Sequence, residues 1–536
     1  MVRTIRTCSG VAAGLAAIFA GVAQADAPAS LAAYVRGRAA DGDGRADVAA
    51  ASYAAALTAA PDNPVVAIRA YREALSAGDM PLARRAAAVL STAGVAPADA
   101  VILAIADAVS AKDWARANAA ADRLADSQLA FLAPSVRGWL AFGRGQPNAA
   151  RIDAGPNAIS RRFAAENGAL LLIASGERDA GLAALRPLLT SDALGRSLRL
   201  SAAHLLSGTG DDAGARALLA GEAQAAATKN APAVAKPTAA YGIAQLYTRL
   251  ATDIATSDAR PLAVVLSRAA LQLQPDSDGA RLVLASALAS DANGARALAL
   301  LDRIDPAGEY GSQAASMRIS LLSRAGQTEP AIAAAAAVAA APGSTSVDAQ
   351  RQGDLLLAAD RFGEAAQAYA TAIDRAGADA DWVLYLQRGG ALDQAGRWPE
   401  ARTSLQRAVE LAPDEAVALN YLGYAQIARG ENMTAARTML ERAARLKPDD
   451  PNIADSLGWA YVQRGDTAGG LPLIERAARD QPANAEIRDH LGDAYWRLGR
   501  RYEARYAWRA AAESASGEEA VRLRTKLVSG LQREPR

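Results

Sequence analysis

Small and apolar residues follow a helical pattern in the C-terminal part of the chain, and this pattern repeats at a fixed period. Three segments show the repeat: NYLGYAQIARG at 420–430, DSLGWAYVQRG at 455–465 and DHLGDAYWRLG at 489–499. Their marker glycines, Gly423, Gly458 and Gly492, are 35 and 34 positions apart. Self-similarity at such a period predicts a stack of helical hairpins.

Five units of this kind align along the C-terminal part. Each has a small residue in the middle of its first helix, a glycine or polar turn seven positions later, and small residues at the facing positions of its second helix. The reference residues of the five units are Gly353, Gly389, Gly423, Gly458 and Gly492. Antiparallel helices approach closely where small side chains lie at the crossing. This contact offsets the roughly 0.5–1 kcal/mol that a glycine costs inside a helix.

The hairpin pattern extends towards the N-terminus in an eroded form. Residues 26–220 predict degenerate repeats, starting with a unit around Gly37; an unrelated all-helical domain is the alternative. Residues 221–239 do not follow the repeat pattern, and their alanines and prolines predict a linker or loop. The array resumes over 240–516, and residues 517–536 predict an amphipathic helix that caps the last repeat.

The first 25 residues form a separate segment. Arg3 and Arg6 precede an apolar stretch from Val11 to Val22, and Ala23-Gln24-Ala25 has the small residues of a cleavage site. We therefore expect residues 1–25 to be a secretory signal peptide, and the mature chain to be periplasmic. An uncleaved membrane anchor is the alternative.

Composition and charge exclude several classes of protein. The single cysteine, Cys8, lies inside the expected signal peptide and before its apolar stretch, so we expect no disulfide and no lipid attachment. Hydrophobic residues make up 51% of the chain but aromatic residues only 5%, which favours helices rich in Ala and Leu. The formal net charge is +1, and it becomes −1 without Arg3 and Arg6, which argues against a nucleic-acid partner.

The sequence offers no set of residues for catalysis. Its two histidines, His204 and His490, are far apart in sequence, and it contains no phosphate-binding loop, no nucleophile elbow and no zinc-binding motif. We therefore predict that the protein is not an enzyme, with no catalytic residues, no metal site, no cofactor and no small-molecule substrate.

Function is instead expected in a binding surface on the first helices of the hairpins. Helical geometry places residues three before, one after, and four or five after each reference glycine on the concave side. In the last three hairpins this rule selects Asn420, Tyr424, Ile427, Asp455, Trp459, Val462, Gln463, Asp489, Asp493, Trp496 and Arg497. Such an aromatic and acidic groove would suit an extended peptide that is partly basic or apolar. The alternative is that Trp459 and Trp496 pack between adjacent hairpins.

These repeat residues closely resemble the tetratricopeptide repeat (TPR) family. The resemblance implies an all-α fold, a right-handed superhelical solenoid of tetratricopeptide-type helical hairpins. Residues 350–512 further resemble the bacterial envelope adaptor lipoproteins that partner carboxyl-terminal processing proteases. The chain lacks the lipobox cysteine of those adaptors, which puts outer-membrane anchoring in doubt.

This second resemblance implies an exported, non-enzymatic scaffold that positions a client protein for an envelope protease or cell-wall machine. The implied partners are proteins, among them a protease or a peptidoglycan hydrolase; self-association stays open. The alternative is a structural subunit of an envelope secretion or polysaccharide-export assembly.

Overall fold

The computed structural model describes residues 29–190, 193–220, 237–289 and 293–531. In these residues all regular structure is helical, which confirms the predicted all-α solenoid. No described helix is both long enough and apolar enough to cross a bilayer. The expected signal peptide, residues 1–25, lies outside the described part of the chain, as do residues 221–236 of the expected linker.

The chain divides into two compact units, residues 1–327 and 328–536. The helices described in the first unit are α1 (Ala29–Gly42), α2 (Ala46–Ala59), α3 (Pro64–Ala77), α4 (Met80–Thr92), α5 (Ala100–Ser110), α6 (Trp114–Ala125), α7 (Ala133–Gly143), α8 (Ala158–Ala174), α9 (Arg178–Leu185), α10 (Ala193–Gly208), α11 (Asp212–Leu218), α12 (Ala239–Ile254), α13 (Arg260–Leu273), α14 (Asp278–Ala287), α15 (Gly294–Leu301) and α16 (Gly311–Arg324).

The helices described in the second unit are α17 (Thr328–Ala340), α18 (Ser346–Ala358), α19 (Phe362–Ala376), α20 (Trp382–Gln394), α21 (Trp398–Leu411), α22 (Ala416–Ala428), α23 (Met433–Leu446), α24 (Pro451–Gln463), α25 (Thr467–Asp480), α26 (Ala485–Arg497), α27 (Arg501–Ser514) and α28 (Gly517–Ser529). The five predicted repeats are the hairpins α18–α19, α20–α21, α22–α23, α24–α25 and α26–α27.

Each reference glycine lies where the two helices of its hairpin cross. A Cβ atom at Gly458 would lie 2.9 Å from the backbone oxygen of Gly470 and 2.7 Å from Cγ1 of Ile474. At Gly492 it would overlap the indole ring of Trp508. The turn after α24 uses Gly465, whose φ of +90° is strained for any other residue type. The helices therefore pair as the small-residue pattern predicts.

In the first unit, the hairpin α12–α13 packs against helices from several earlier hairpins. In this unit α12 packs against α7 and α8, whereas α13 packs against α3 and α5. Gly242 of α12 lies so close to Trp139 of α7 that a Cβ atom would overlap the indole ring. The earlier helices α3, α5, α7 and α8 thus pack on a hairpin that lies far from them in sequence.

Polar contacts of α13 with the earlier helices include those of Arg268 with α3 and of Gln272 with Asp107 of α5. The guanidinium of Arg268 donates to the carbonyl oxygens of Leu75 and Ser76, at 3.0 and 3.1 Å, at the end of α3. Burial, with the nearby charge of Arg296, lowers the pKa of Arg268 to about 10, so the side chain is charged at neutral pH. Because α12 and α13 pack on these earlier helices, the boundary between compact units falls after Gln327.

Candidate protein-binding surface

The predicted binding residues all lie on three successive first helices, α22, α24 and α26. Gln463 and Arg497 are exposed, and both are the last residues of their helices. Asn420, Tyr424 and Trp496 are half-buried. The others are buried: Ile427, Asp455, Trp459, Val462, Asp489 and Asp493. The structure therefore brings the set together but leaves few of its side chains open to solvent.

A buried aromatic and ionic cluster lies at the centre of this row. Trp459 is only 7% exposed, and its indole stacks on the imidazole of His490 with ring centroids 4.1 Å apart and planes 13° apart. Nδ1 of His490 donates to Oδ2 of Asp455 at 2.7 Å. Trp459 and Asp455 belong to α24 and His490 to α26, so these contacts join two successive hairpins. Trp459 thus packs between hairpins and offers no open aromatic face.

Electrostatics around His490 favour its protonated form. Burial alone would lower its pKa, but the charge and hydrogen bond of Asp455, together with the nearby Glu486 and Asp489, raise the pKa of His490 above its usual value. Nε2 of His490 lies 3.4 Å from Oη of Tyr424, which donates to Glu486. Burial and the Glu486 carboxylate raise the pKa of Tyr424, so its hydroxyl stays protonated.

The sequence rule missed His490, although its register gave a signal. His490 lies two positions before the reference glycine Gly492, and that position faces the preceding hairpin. The rule used only the positions three before, one after, and four or five after the glycine. Adding the position two before would have selected His490.

The expected acidic groove is not open, because its carboxylates are paired within the chain. Lys526 of α28 lies 2.6 Å from Asp489 and 2.8 Å from Asp493, and it is itself largely buried. Arg522 also contacts Asp489, and Nε1 of Trp508 donates to Asp493 at 2.9 Å. Burial and Asp489 raise the pKa of Asp493, while Lys526 and Trp508 act in the opposite direction. The expectation that this surface suits a basic peptide is therefore wrong for α26 as it is folded here.

Trp496 is likewise covered by its own chain. The guanidinium carbon of Arg501 lies 3.7 Å from the centre of its ring, and the Trp508 ring centroid lies 5.3 Å away. Gly530, just after α28, lies so close that a Cβ atom would overlap the indole. Trp496 thus packs between the second helix of its own hairpin and the segment after α28, and not between adjacent hairpins as the alternative had it.

Four side chains beside the buried cluster reach solvent, and we call them the α22–α26 surface: the half-buried Tyr424 and the exposed Gln463, Glu486 and Arg497. Tyr424 and Glu486 contact each other, while Nη1 of Arg497 donates to the Val462 carbonyl oxygen at 3.1 Å and its guanidinium carbon lies 5.6 Å from the Trp459 ring centre. The buried cluster therefore supports Tyr424 and Arg497 directly, and Glu486 through Tyr424. In the described residues no group of three or more potential ligands could hold a metal ion.

Comparison with known proteins defines the class of these hairpins. The tetratricopeptide repeat family model matches residues 386–451 and 456–519, which span α21 to α27 and most of α20. These hairpins are therefore of the tetratricopeptide type. Comparison with curated proteins finds no match.

Several solved structures are similar to part of the chain. A thermophilic TPR protein of Thermus thermophilus is 20% identical, with a TM-score of 0.30, over 35% of this chain and 98% of that one. A MamA protein is 24% identical, with a TM-score of 0.27, over 36% of this chain and 100% of its own. A tetratricopeptide repeat protein of Parabacteroides merdae is 14% identical, with a TM-score of 0.39, over 46% and 96% of the two chains.

Proposed function

We propose that this chain is an exported, non-catalytic scaffold that holds a client protein for an envelope protease or a cell-wall machine. Tetratricopeptide repeats support the binding role, because stacked hairpins present an extended surface to a protein partner. The charged and apolar pattern of residues 1–25 supports export. The resemblance of residues 350–512 to protease-partner adaptors motivates the envelope partner.

The observation that carries the proposal is the α22–α26 surface on its rigid support. Asp455 and Trp459 of α24 hold His490 of α26, and His490 in turn lies 3.4 Å from Tyr424 of α22. These contacts keep Tyr424, Glu486 and Arg497 in fixed positions. A preorganised surface loses less conformational entropy when a partner binds. His490, by contrast, is too buried to meet a substrate, and its ring is occupied by Asp455, Trp459 and Tyr424.

The binding role can be tested by affinity capture from envelope extract with residues 26–536. The test variant is Gln463→Ala/Arg497→Glu, which changes two exposed side chains. The control is Arg479→Glu, an exposed arginine on α25, the second helix of its hairpin, which we call the outer helix. Arg479 makes no ion pair to another described residue. We expect the unmodified chain and the control to capture a protease or wall hydrolase, and the test variant to lose it.

If both variants capture the same proteins equally well, the binding site does not lie on the α22–α26 surface. Recovery of a stable complex with membrane components would instead favour a structural subunit of an export assembly.

Export has a separate test. A fusion of the full chain to a reporter that is active only outside the cytoplasm should give activity, and deletion of residues 2–25 should abolish it. Activity that survives the deletion would contradict export through this segment.

A further inference from the structure

The outer helix of the last hairpin carries an exposed stripe of tyrosine and arginine. Tyr502, Arg505, Tyr506 and Arg509 follow one another at i, i+3, i+4 and i+7, so they share one face of α27. Tyr502 is 83% exposed and Tyr506 is 68% exposed. The opposite face of α27, with Ala504, Trp508 and Ala511, is fully buried and packs the hairpin. The two tyrosines therefore contribute little to the core.

The other hairpins show that the fold does not require aromatic residues at these places. The two tyrosines lie 10 and 14 positions after the reference glycine Gly492. The corresponding exposed pairs on the outer helices α19, α21, α23 and α25 are Gly363 and Gln367, Pro399 and Thr403, Thr434 and Thr438 (shifted by the extra residue in that repeat), and Ala468 and Pro472. Only the last of the five hairpins places large aromatic side chains there.

The stripe is also locally cationic, in a chain that is nearly neutral overall. Residues 500–509 hold four arginines and one acidic residue, Glu503, which pairs with Arg500. Arg505 is oriented by a hydrogen bond from Nε to the Leu527 carbonyl oxygen at 3.2 Å. No hydrogen bond or ion pair ties Tyr502, Tyr506 or Arg509 to another described residue. The aromatic rings and the Arg509 guanidinium are therefore available to a partner.

We propose that this Tyr–Arg stripe is a docking surface for an acidic segment of a second protein. Arginine binds carboxylates through paired hydrogen bonds, and tyrosine supplies rigid contact area at little entropic cost. These two residue types also dominate the energetics of protein interfaces. The surface lies on the outer helix, whereas the α22–α26 surface lies on first helices. A scaffold with both surfaces can hold two partners at the same time.

The dimensions favour a protein over a nucleic acid. Seven helical residues span about 10 Å, which offers a phosphate backbone only a few contacts. The net charge of the whole chain is +1, so the stripe is not part of a broad basic field.

The test measures binding of a fluorescently labelled 12-residue peptide of alternating Glu and Phe to residues 26–536 by fluorescence polarisation. A Lys–Phe peptide of equal length, a single-stranded 12-mer oligonucleotide and phosphatidylserine vesicles serve as parallel probes. The test variants are Tyr502→Ser/Tyr506→Ser and Arg509→Glu. The matched control is Thr434→Ala/Thr438→Ala, at the equivalent places on α23.

We expect the acidic peptide to bind the unmodified chain and the control alike, and both test variants to bind it at least tenfold more weakly. Because all the changed side chains are exposed, thermal unfolding followed by circular dichroism should be unchanged. Equal peptide affinity for all variants, no peptide binding, or tighter binding of the Lys–Phe peptide, oligonucleotide or vesicles would overturn the proposal.

Discussion

The imidazole of His490 lies flat against the indole of Trp459, with ring centroids 4.1 Å apart, and so joins two successive hairpins. Asp455 completes the junction by accepting a hydrogen bond from Nδ1 of the same imidazole. A tryptophan that the repeat register placed on the concave side thus stabilises the stack. Its place on the first helix follows from the repeat, but its exposure depends on the residue that the next repeat sets beside it.

This junction makes a pH-dependent prediction. The pKa of His490 is raised above its usual value, so protonated His490 should stabilise the folded state. This stabilisation is fully present below the unfolded pKa of about 6.5 and is lost as pH rises through the folded pKa. A His204→Gln background leaves His490 as the only imidazole, and its proton resonances can then be titrated by NMR. We expect a midpoint above about 6.5.

Asp455→Asn is the matched control for the titration. Burial is the largest single influence on this imidazole, and without the Asp455 charge the remaining acidic groups should no longer outweigh it, so the pKa of His490 should fall. Thermal stability should then depend less on pH between about 6 and 8 than it does in the unmodified chain. A midpoint that Asp455→Asn leaves unchanged would show that the carboxylate does not set the protonation of this imidazole.

The sequence predicted the contacts within one repeat better than the contacts between helices that are far apart in the chain. The hairpins follow from residues within one repeat, such as Gly458 and Gly470, because small side chains at fixed spacing set the helix crossing. In the first unit, the packing of α12 on α7 depends instead on the close contact between Gly242 and Trp139. The repeat period does not predict this contact. The acidic residue Asp489 was placed on the correct helix, but its partner Lys526 lies in a helix outside the repeats.

The repeat register makes a prediction about stability. A leucine at Gly458 would collide with the Gly470 backbone and with Ile474, and such overpacking costs about 1–3 kcal/mol or more. Hydrogen exchange should therefore become faster in α24 and α25. Ala468→Leu adds the same kind of bulk at an exposed position of α25 and should leave exchange unchanged. Equal protection in Gly458→Leu and the unmodified chain would show that this helix crossing tolerates a large side chain.

The packing of α13 on α3 in the first unit should depend on Arg268. Arg268→Met removes the donors to the Leu75 and Ser76 carbonyl oxygens and leaves partly buried acceptors without partners, at a cost of about 1–3 kcal/mol. Exchange should increase at the end of α3 and in α13. Arg260→Met, at the exposed start of α13, is the control and should have little effect. If both variants behave alike, the other contacts of α12 and α13, including the hydrogen bond of Gln272 to Asp107, suffice to hold these helices together.

Lys526 should determine whether α28 stays in place. Lys526→Met leaves Asp489 and Asp493 close together and buried without their shared cation, and breaking a buried ion pair in this way costs about 3–5 kcal/mol. We expect faster hydrogen exchange in α28 at pH 7. The effect should be smaller at acidic pH, because the pKa of Asp493 is already raised by burial and by Asp489, and protonation removes the repulsion.

Two further variants separate charge from packing at this site. Arg524→Met removes an exposed cation of α28 that hydrogen bonds only to the Ala520 carbonyl oxygen of its own helix, so exchange should not change. Adding Asp493→Asn to Lys526→Met removes one of the two carboxylates and should restore part of the lost protection at pH 7. If the double variant is no more protected than Lys526→Met alone, the lysine holds α28 through its ammonium group, which lies 5.9 Å from the Trp508 ring centre, and the carboxylate pair is not the cause.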